Sequence, residues 1–345
     1  IPRMSECTGG DVILSLRQQD GDSFRMTSAQ SSQKGRCFQG KEDMLANCIL
    51  CPRRCQVDRR DSSRIKRAIC RAGAVAEVAL VSLHPWEEPC ISGKNGAGTV
   101  FFSHCNLRCC FCQNHEISAQ GRGIEVTDRR LADIFLEQQA RGASCLELVT
   151  PTHYLENILA ALEMARADGF RLRVAYNTNG YDLPEVIDRL RGQVDIFMPD
   201  LKYFDSRLGE RYSGVPQYFE RASEAIRKMF EITGPVQIGS DGLMTRGMIV
   251  RHLVLPGYWR DSCRCIDWLW NTFHDSIIMS LMNQYMPLYK ASLHPEINRK
   301  LLTLEYQKVV RHAEGLGVNR CYVQIGQTAE SKFIPQFDGA NVLPG

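Results

Sequence analysis

No uninterrupted apolar run in this 345-residue sequence approaches the roughly 18–20 residues that a membrane-spanning helix needs, so membrane insertion is not expected. Charge of one sign is not in excess either. The balance of 42 Lys and Arg against 39 Asp and Glu points by itself to no polyanionic partner. There is no secretory hydrophobic segment near the start, and no internal repeat is visible. A disulfide framework is missing as well: the fifteen cysteines are odd in number and crowd into tight clusters. Vicinal Cys109 and Cys110, with Cys112 two positions on, suit metal ligation better than bridges. An intracellular reducing compartment is therefore expected, the cytoplasm or, if the N-terminus is processed, an organelle matrix. What is present is ordinary globular composition, 44% apolar and 23% charged, with length enough for a sizeable core.

Residues 1–40, rich in Ser, Gln and Gly, read as an irregular arm. Acidic Glu6, Asp11, Asp20 and Asp22 speak against a whole mitochondrial transit peptide, although the sequence starts at Ile1 rather than Met. Residues 41–95 form a Cys-rich metal-binding element, 96–330 an α/β domain and 331–345 a C-terminal tail. Strand patterns at 99–102, 145–149, 171–176, 194–198, 248–255, 277–282 and 321–325 alternate with helical ones. Thr127 is placed as an N-cap before Leu131, Ile134, Phe135 and Gln138 at helical spacing. Leu155, Ile158, Leu159 and Leu162 mark the next helix, and others are expected near 184–190, 217–231, 262–273 and 302–315. Six or seven β–α units whose strands are continuous apolar runs imply parallel strands with helices outside. The count favours a partial (βα)6 barrel over a closed eight-unit one. Chemistry in such barrels sits just beyond the C-terminal ends of the strands.

Directly after the first strand stand Cys105, Cys109 and Cys112, a C-x3-C-x2-C set with Phe111 before the last cysteine. Three thiolates at this spacing suit three irons of a [4Fe–4S] cluster, leaving the fourth iron open. An open iron is what a cluster needs to bind a substrate rather than only carry electrons. The plainer alternatives are a buried Cys-rich turn or a zinc knuckle, but zinc prefers four ligands, commonly in paired C-x2-C units.

The C-x3-C-x-aromatic-C pattern resembles the signature of the radical S-adenosylmethionine (SAM) superfamily. The likeness extends to the branch around the pyruvate formate-lyase activating enzyme, above all its longer relatives. It is carried by Glu87-Glu88-Pro89-Cys90-Ile91-Ser92-Gly93, Leu148-Val149-Thr150-Pro151-Thr152-His153-Tyr154 and Val250-Arg251-His252-Leu253-Val254-Leu255-Pro256-Gly257, and covers about residues 45–330. The resemblance implies a radical SAM partial barrel whose reduced cluster passes an electron to SAM, giving methionine and a 5′-deoxyadenosyl radical that abstracts hydrogen from a C–H bond. It implies that the backbone of Phe111 lies against the adenine and that Asn114 lies near the nucleoside. Where the activating enzymes have Gly-Gly-Glu after the second strand, this chain has Thr150-Pro151-Thr152-His153, so Thr150 or Thr152 would substitute. Asn177-Thr178-Asn179-Gly180 resembles Asp-Thr-Asn-Gly, and Met198-Pro199-Asp200-Leu201-Lys202 resembles Met-Leu-Asp-Leu-Lys. In the activating enzyme these two segments line a monovalent-cation site and hold the SAM carboxylate. By resemblance Asn177, Asn179, Asp200, Lys202 and Arg251 are therefore cofactor-binding positions. Asn177 in place of Asp weakens cation binding, and Tyr285 sits near a family histidine.

A second set comprises Cys48, Cys51, Cys55 and, fifteen positions on, Cys70. Four thiolates suffice for a tetrahedral zinc site or an auxiliary Fe–S cluster. The longer relatives carry a similar C-x2-C-P-x2-C element, and reduced structural cysteines are the bland alternative. Between positions 53 and 71, eight basic residues face only Asp58 and Asp61. Such a stretch can meet nucleic-acid phosphates, but is more commonly a solvated face or a dock for an acidic protein.

The expected function is a radical SAM oxidoreductase that activates a glycyl-radical enzyme, served by an electron donor such as flavodoxin or ferredoxin. Alternatives are radical modification of RNA, another protein or a small molecule, and a non-catalytic metal-binding scaffold of a larger assembly.

Overall fold

The computed structural model describes residues 4–6, 41–325 and 334–344. The arm expected over 1–40, apart from its short strand at Met4–Glu6, and the join between barrel and tail lie outside the described residues. Among the described residues, eleven strands form one sheet: β1 (Met4–Glu6), β2 (Ala76–His84), β3 (Ala97–Phe102), β4 (Ile124–Val126), β5 (Leu146–Val149), β6 (Val174–Thr178), β7 (Ile196–Pro199), β8 (Gln237–Ile238), β9 (Met244–Leu253), β10 (Ile278–Met282) and β11 (Cys321–Gln324).

The middle of the sheet is parallel and follows chain order, β3-β5-β6-β7-β9-β10-β11. This is the parallel-rich α/β sheet expected of a partial radical SAM barrel. Parallel pairing of consecutive strands requires a crossover between each pair, and the amphipathic helices supply it. Helix Asp128–Ala140 starts where Thr127 Oγ1 accepts from the Arg130 amide at 3.1 Å, and it buries Leu131, Ile134, Phe135 and Gln138. It packs on helix Leu155–Ala167, whose Leu155, Ile158 and Leu162 are fully buried. Each such side chain contributes about 2 kcal/mol through the surface it removes from water.

Two features differ from the expected pattern. Residues 41–95 include a nine-residue strand, β2, paired antiparallel with β3 and with β4, so the sheet runs on past position 95. A further helix, Ser206–Ser213, precedes helix Tyr218–Thr233. The tail also packs on the sheet edge. Gly339 N donates to Ala79 O at 3.0 Å, Val81 N to Ala340 O at 3.1 Å, and Phe337 meets Phe101 edge-on. No helix among the described residues is long and apolar enough to cross a membrane.

The Cys-rich element is fastened to the barrel by arginines. Arg59 is 2% exposed, and its guanidinium donates to Ala72 O at 3.1 Å and to the carbonyls of Gly73 and His153. Arg53 donates to Asn106 O at 3.1 Å and to Gly214 O at 2.6 Å. Arg54 pairs with Glu185, Arg60 with Asp58 and Arg64 with Asp61. Five of the eight basic residues therefore have partners within the chain, and Arg54, Arg60 and Arg64 remain about half exposed. Replacing Arg59 by Met would leave three carbonyls without their donor. A loss of about 3 kcal/mol is expected, read as a lower urea midpoint together with faster proteolysis of residues 41–75. An unchanged midpoint would show that Arg59 does not hold the element in place.

Candidate radical SAM site

The loop after β3 carries Cys105, Cys109 and Cys112, and is held by the Arg108 side chain and by the end of helix Ser206–Ser213. Arg108 turns back to donate to the carbonyls of Cys105 at 3.1 Å, Leu107 at 3.2 Å and Ser118 at 3.0 Å. The amides of Arg108 and Cys110 donate to Ser213 O and Tyr212 O at 2.9 and 2.8 Å. Cys105, Cys109 and Cys112 line one cavity of about 310 Å³, whereas the neighbouring Cys110 does not. Burial pushes the Cys105 thiol up to about 12 and the Cys112 thiol to about 11, and in both Cys109 adds to the effect. Polar groups surround the sulfurs. Asn179 Nδ2 and the Leu107 amide each lie 3.4 Å from Cys105 Sγ, Ser213 Oγ lies 3.0 Å from Cys109 Sγ, and Ser118 Oγ lies 3.2 Å from Cys112 Sγ.

Among the described residues, no three or more His, Cys, Asp or Glu side chains converge on a single metal ion. Three separated thiols around one cavity, half-buried and supplied with hydrogen-bond donors, fit a cluster in which each thiolate meets a different iron. Such an iron centre would stabilise the thiolates that burial alone disfavours.

The cavity wall is built from the ends of successive parallel strands. Phe111, Asn114, Thr150, Asn177, Asn179, Asp200, Lys202, Arg251 and Tyr285 all line it. Lys202 Nζ stands 2.5 Å from Asp200 Oδ2, and Arg251 Nε stands 3.3 Å from Asp200 Oδ1. Burial raises the Asp200 carboxyl, but the two cations outweigh it and hold the group below its ordinary range. Arg251 Nη2 also donates to Asn177 Oδ1 at 2.6 Å, while Asn177 Nδ2 donates to Glu147 Oε1 at 2.6 Å. Asn177 and Asp200 thus both accept from one guanidinium. The backbone also makes a demand here. Gly180 has φ +81°, and a Cβ on it would stand 2.2 Å from Asp200 O, so only glycine fits. Thr150 has φ +57°, a rare and strained conformation for a β-branched residue.

Thr152 does not face the cavity. It is buried, with its hydroxyl donating to Asp182 Oδ1 at 2.7 Å, while Thr178 donates to the other carboxyl oxygen at 2.6 Å. Of the two threonines, only Thr150 borders the cavity. Tyr285 presents its ring, 5.5 Å from that of Phe111, since its hydroxyl donates to Ile297 O. Glu147, which no motif marks, is fully buried on β5 with its carboxyl raised by burial. A lone acidic residue inside the apolar run Cys145–Val149 was the available signal. Glu87 and Glu88 also reach the cavity, although they stood out only as part of a motif.

The N-terminal cysteines share one neighbourhood without meeting at ligating distance. Cys48, Cys51 and Cys70 are buried and Cys55 is half-buried. Cys48 and Cys55 are hydrogen-bonded through their thiols, which raises Cys48 and, outweighing burial, lowers Cys55 to about 7. Burial pushes Cys51 up to about 12, with Cys70 and Cys48 contributing.

With this geometry in place, comparison with known proteins gives the class. Residues 99–252 match the radical SAM superfamily, and this span of the chain is a radical SAM domain. Such a domain implies a [4Fe–4S] cluster and SAM as cofactors. The chain is 28% identical over 294 residues to uncharacterized protein MJ0674 of Methanocaldococcus jannaschii, covering 81% of this chain and 78% of that protein. Similar solved structures include SuiB of Streptococcus suis, at TM-score 0.43 and 13% identity over 66% of this chain and 48% of that one. The chain thus spans about half the length of SuiB. A domain of pyruvate-formate lyase-activating enzyme from Bacteroides vulgatus ATCC 8482 gives TM-score 0.36 and 16% identity, over 49% of this chain and 91% of that one.

His153, behind the cavity, supplies a test of the packing. Burial holds its imidazole down at about 3; Nε2 bonds Ser103 O at 2.7 Å and Nδ1 has no partner. The unfolded chain takes up this proton near 6.5, so the stability due to the neutral ring is complete above 6.5 and lost as pH falls toward 3. The difference in unfolding free energy between wild type and His153→Gln should shrink over that window. A difference independent of pH would contradict the buried neutral ring.

Proposed function

We propose that this protein reductively cleaves SAM and directs the resulting radical to a hydrogen donor held in the barrel. The observation that supports this most strongly is the convergence of the Cys105, Cys109 and Cys112 thiols with Asn177, Asn179, Asp200, Lys202 and Arg251 on one cavity. When bound, the reduced cluster supplies the electron that splits the SAM sulfonium. The chain's own residues do the positioning. Asn179, Ser213 and Ser118 donate toward the thiolate sulfurs and lower their charge density. Lys202 and Arg251 present positive charge to a carboxylate, with Asp200 orienting both. Phe111 and Tyr285 give an apolar wall that excludes water.

Two hydrogen donors remain in view. The resemblance to activating enzymes favours the Cα–H of a glycine in a partner protein, with flavodoxin or ferredoxin as reductant. The carboxyls of Glu87 and Glu88 on the cavity wall favour a smaller, charged substrate. The four N-terminal cysteines are assigned here an accessory metal, whose binding would draw their shared neighbourhood into a closed site.

Anaerobic reconstitution with iron and sulfide, followed by dithionite and SAM, should yield 5′-deoxyadenosine from wild type and none when Cys105, Cys109 and Cys112 are all changed to Ala. Equal product from both proteins would end the radical SAM reading. For the accessory site, Cys48→Ser should lower the bound metal by one site's worth of zinc or iron while sparing the barrel cluster. Unchanged zinc and iron content would remove that assignment.

A further inference from the structure

The far end of the cavity is chemically unlike the end that carries the cysteines. Because β2 runs antiparallel to β3 and His84 pairs with Ala97, the segment after β2 lies at the N-terminal end of β3. The cysteine loop leaves the other end, after Phe102, roughly 17 Å away at 3.3 Å per residue. Ser144 Oγ fixes this segment by donating to Ser92 O at 2.8 Å. Glu87 and Glu88 extend from it to the same cavity that the cysteines line.

Charge is not balanced there. Arg251 interacts with the carboxyls of Glu87, Glu88, Glu147 and Asp200 together, its Nη1 lying 3.4 Å from Glu87 Oε2. Lys202, on Asp200, is the other cation of the group, and His84 lies 3.8 Å from Glu87. Four acids against two permanent cations leave an excess that protons or a bound cation must offset. Burial, aided by Glu147, raises the Glu87 carboxyl well above its ordinary range, a penalty that a cation beside it would relieve. Glu88 is 2% exposed, and its Oε2 has no hydrogen-bond partner. A buried acceptor bordering a cavity without a donor is a free-energy cost that a ligand can remove.

We propose that Glu87 and Glu88 form a subsite for a primary ammonium group, carried by the molecule whose hydrogen is abstracted. This rests on the radical SAM reading above and deepens it by naming the substrate's charged group. An ammonium is compact, brings three donors and satisfies Glu88 Oε2 directly. A bare metal ion fits less well, because the acidic side chains here do not converge on one point. Nothing in the recognition of a backbone glycine calls for carboxylates at this depth. The ammonium belongs either to a free amine or to a lysine side chain.

The test uses the full-length, cluster-reconstituted protein with SAM, and n-butylamine, n-butanol and butyrate as probes of similar size, with binding measured by ligand-observed NMR. Only n-butylamine should bind, and Glu88→Gln should weaken it at least tenfold. The wild-type ligand series stands independently of whether the variant folds. Nα-acetyl-lysine methylamide forms a further arm: its binding alongside n-butylamine supports a lysine side chain, and its exclusion supports a small amine. Equal binding of n-butanol and n-butylamine, or unchanged amine affinity in a folded Glu88→Gln protein, overturns the subsite. If that happens while the wild type still forms 5′-deoxyadenosine, the radical SAM reading survives alone. If the wild type forms none, both fall.

Discussion

Arg251 is the constraint around which the interior is arranged. A guanidinium on the inner face of a parallel sheet costs several kcal/mol unless it is paired and fully hydrogen-bonded. It is met by Asp200 beyond β7, by Asn177 on β6 and by Glu87 from the segment after β2. Asn177 passes the network on to Glu147, and Glu147 on to Thr99 of β3 at 3.0 Å. One cation thus links strands across the sheet and fixes the side chains that face the cavity. The same pairing with Asp200 sets Lys202, so positive charge at the cavity wall is held in place before any ligand arrives.

The second organising feature is the bond between the Cys-rich element and the barrel. Arg53 reaches Asn106 in the cysteine loop, and Arg108 of that loop reaches back to the carbonyl of Ile69, next to Cys70. Arg59 grips the carbonyl of His153, just beyond β5. The two cysteine sets are thereby joined through backbone carbonyls rather than through a flexible linker. Whatever sits among Cys48, Cys51, Cys55 and Cys70 is mechanically coupled to the loop that carries Cys105.

Much of this was legible in the sequence, and the gaps have physical causes. Apolar runs long enough to bury both faces mark parallel strands well, so β3, β5, β7, β10 and β11 were found within a few residues. β2 was missed because its apolar run Val78–Val81 is followed by no crossover helix of ordinary length: it pairs antiparallel with β3 and so lacks the β–α alternation that marks the other strands. The cysteine triplet was legible because spacing alone carries its chemistry. Thr150 and Thr152 could not be told apart by spacing: backbone geometry turns one toward the cavity and the other toward Asp182. Glu87, Glu88 and Glu147 were the hardest to read, since only the fold shows that an adjacent pair of acids and a third far along the chain share one cation, Arg251.

The claim on which the rest stands is that Cys105, Cys109 and Cys112 hold a cluster with one iron open to SAM. Electron paramagnetic resonance of the reduced, reconstituted protein, recorded with and without SAM, tests it most directly. The account predicts a [4Fe–4S]⁺ signal whose g-values shift when SAM is added, and loss of that signal in Cys109→Ala. A cluster signal that is identical with and without SAM would mean a closed, electron-carrying centre and would contradict it.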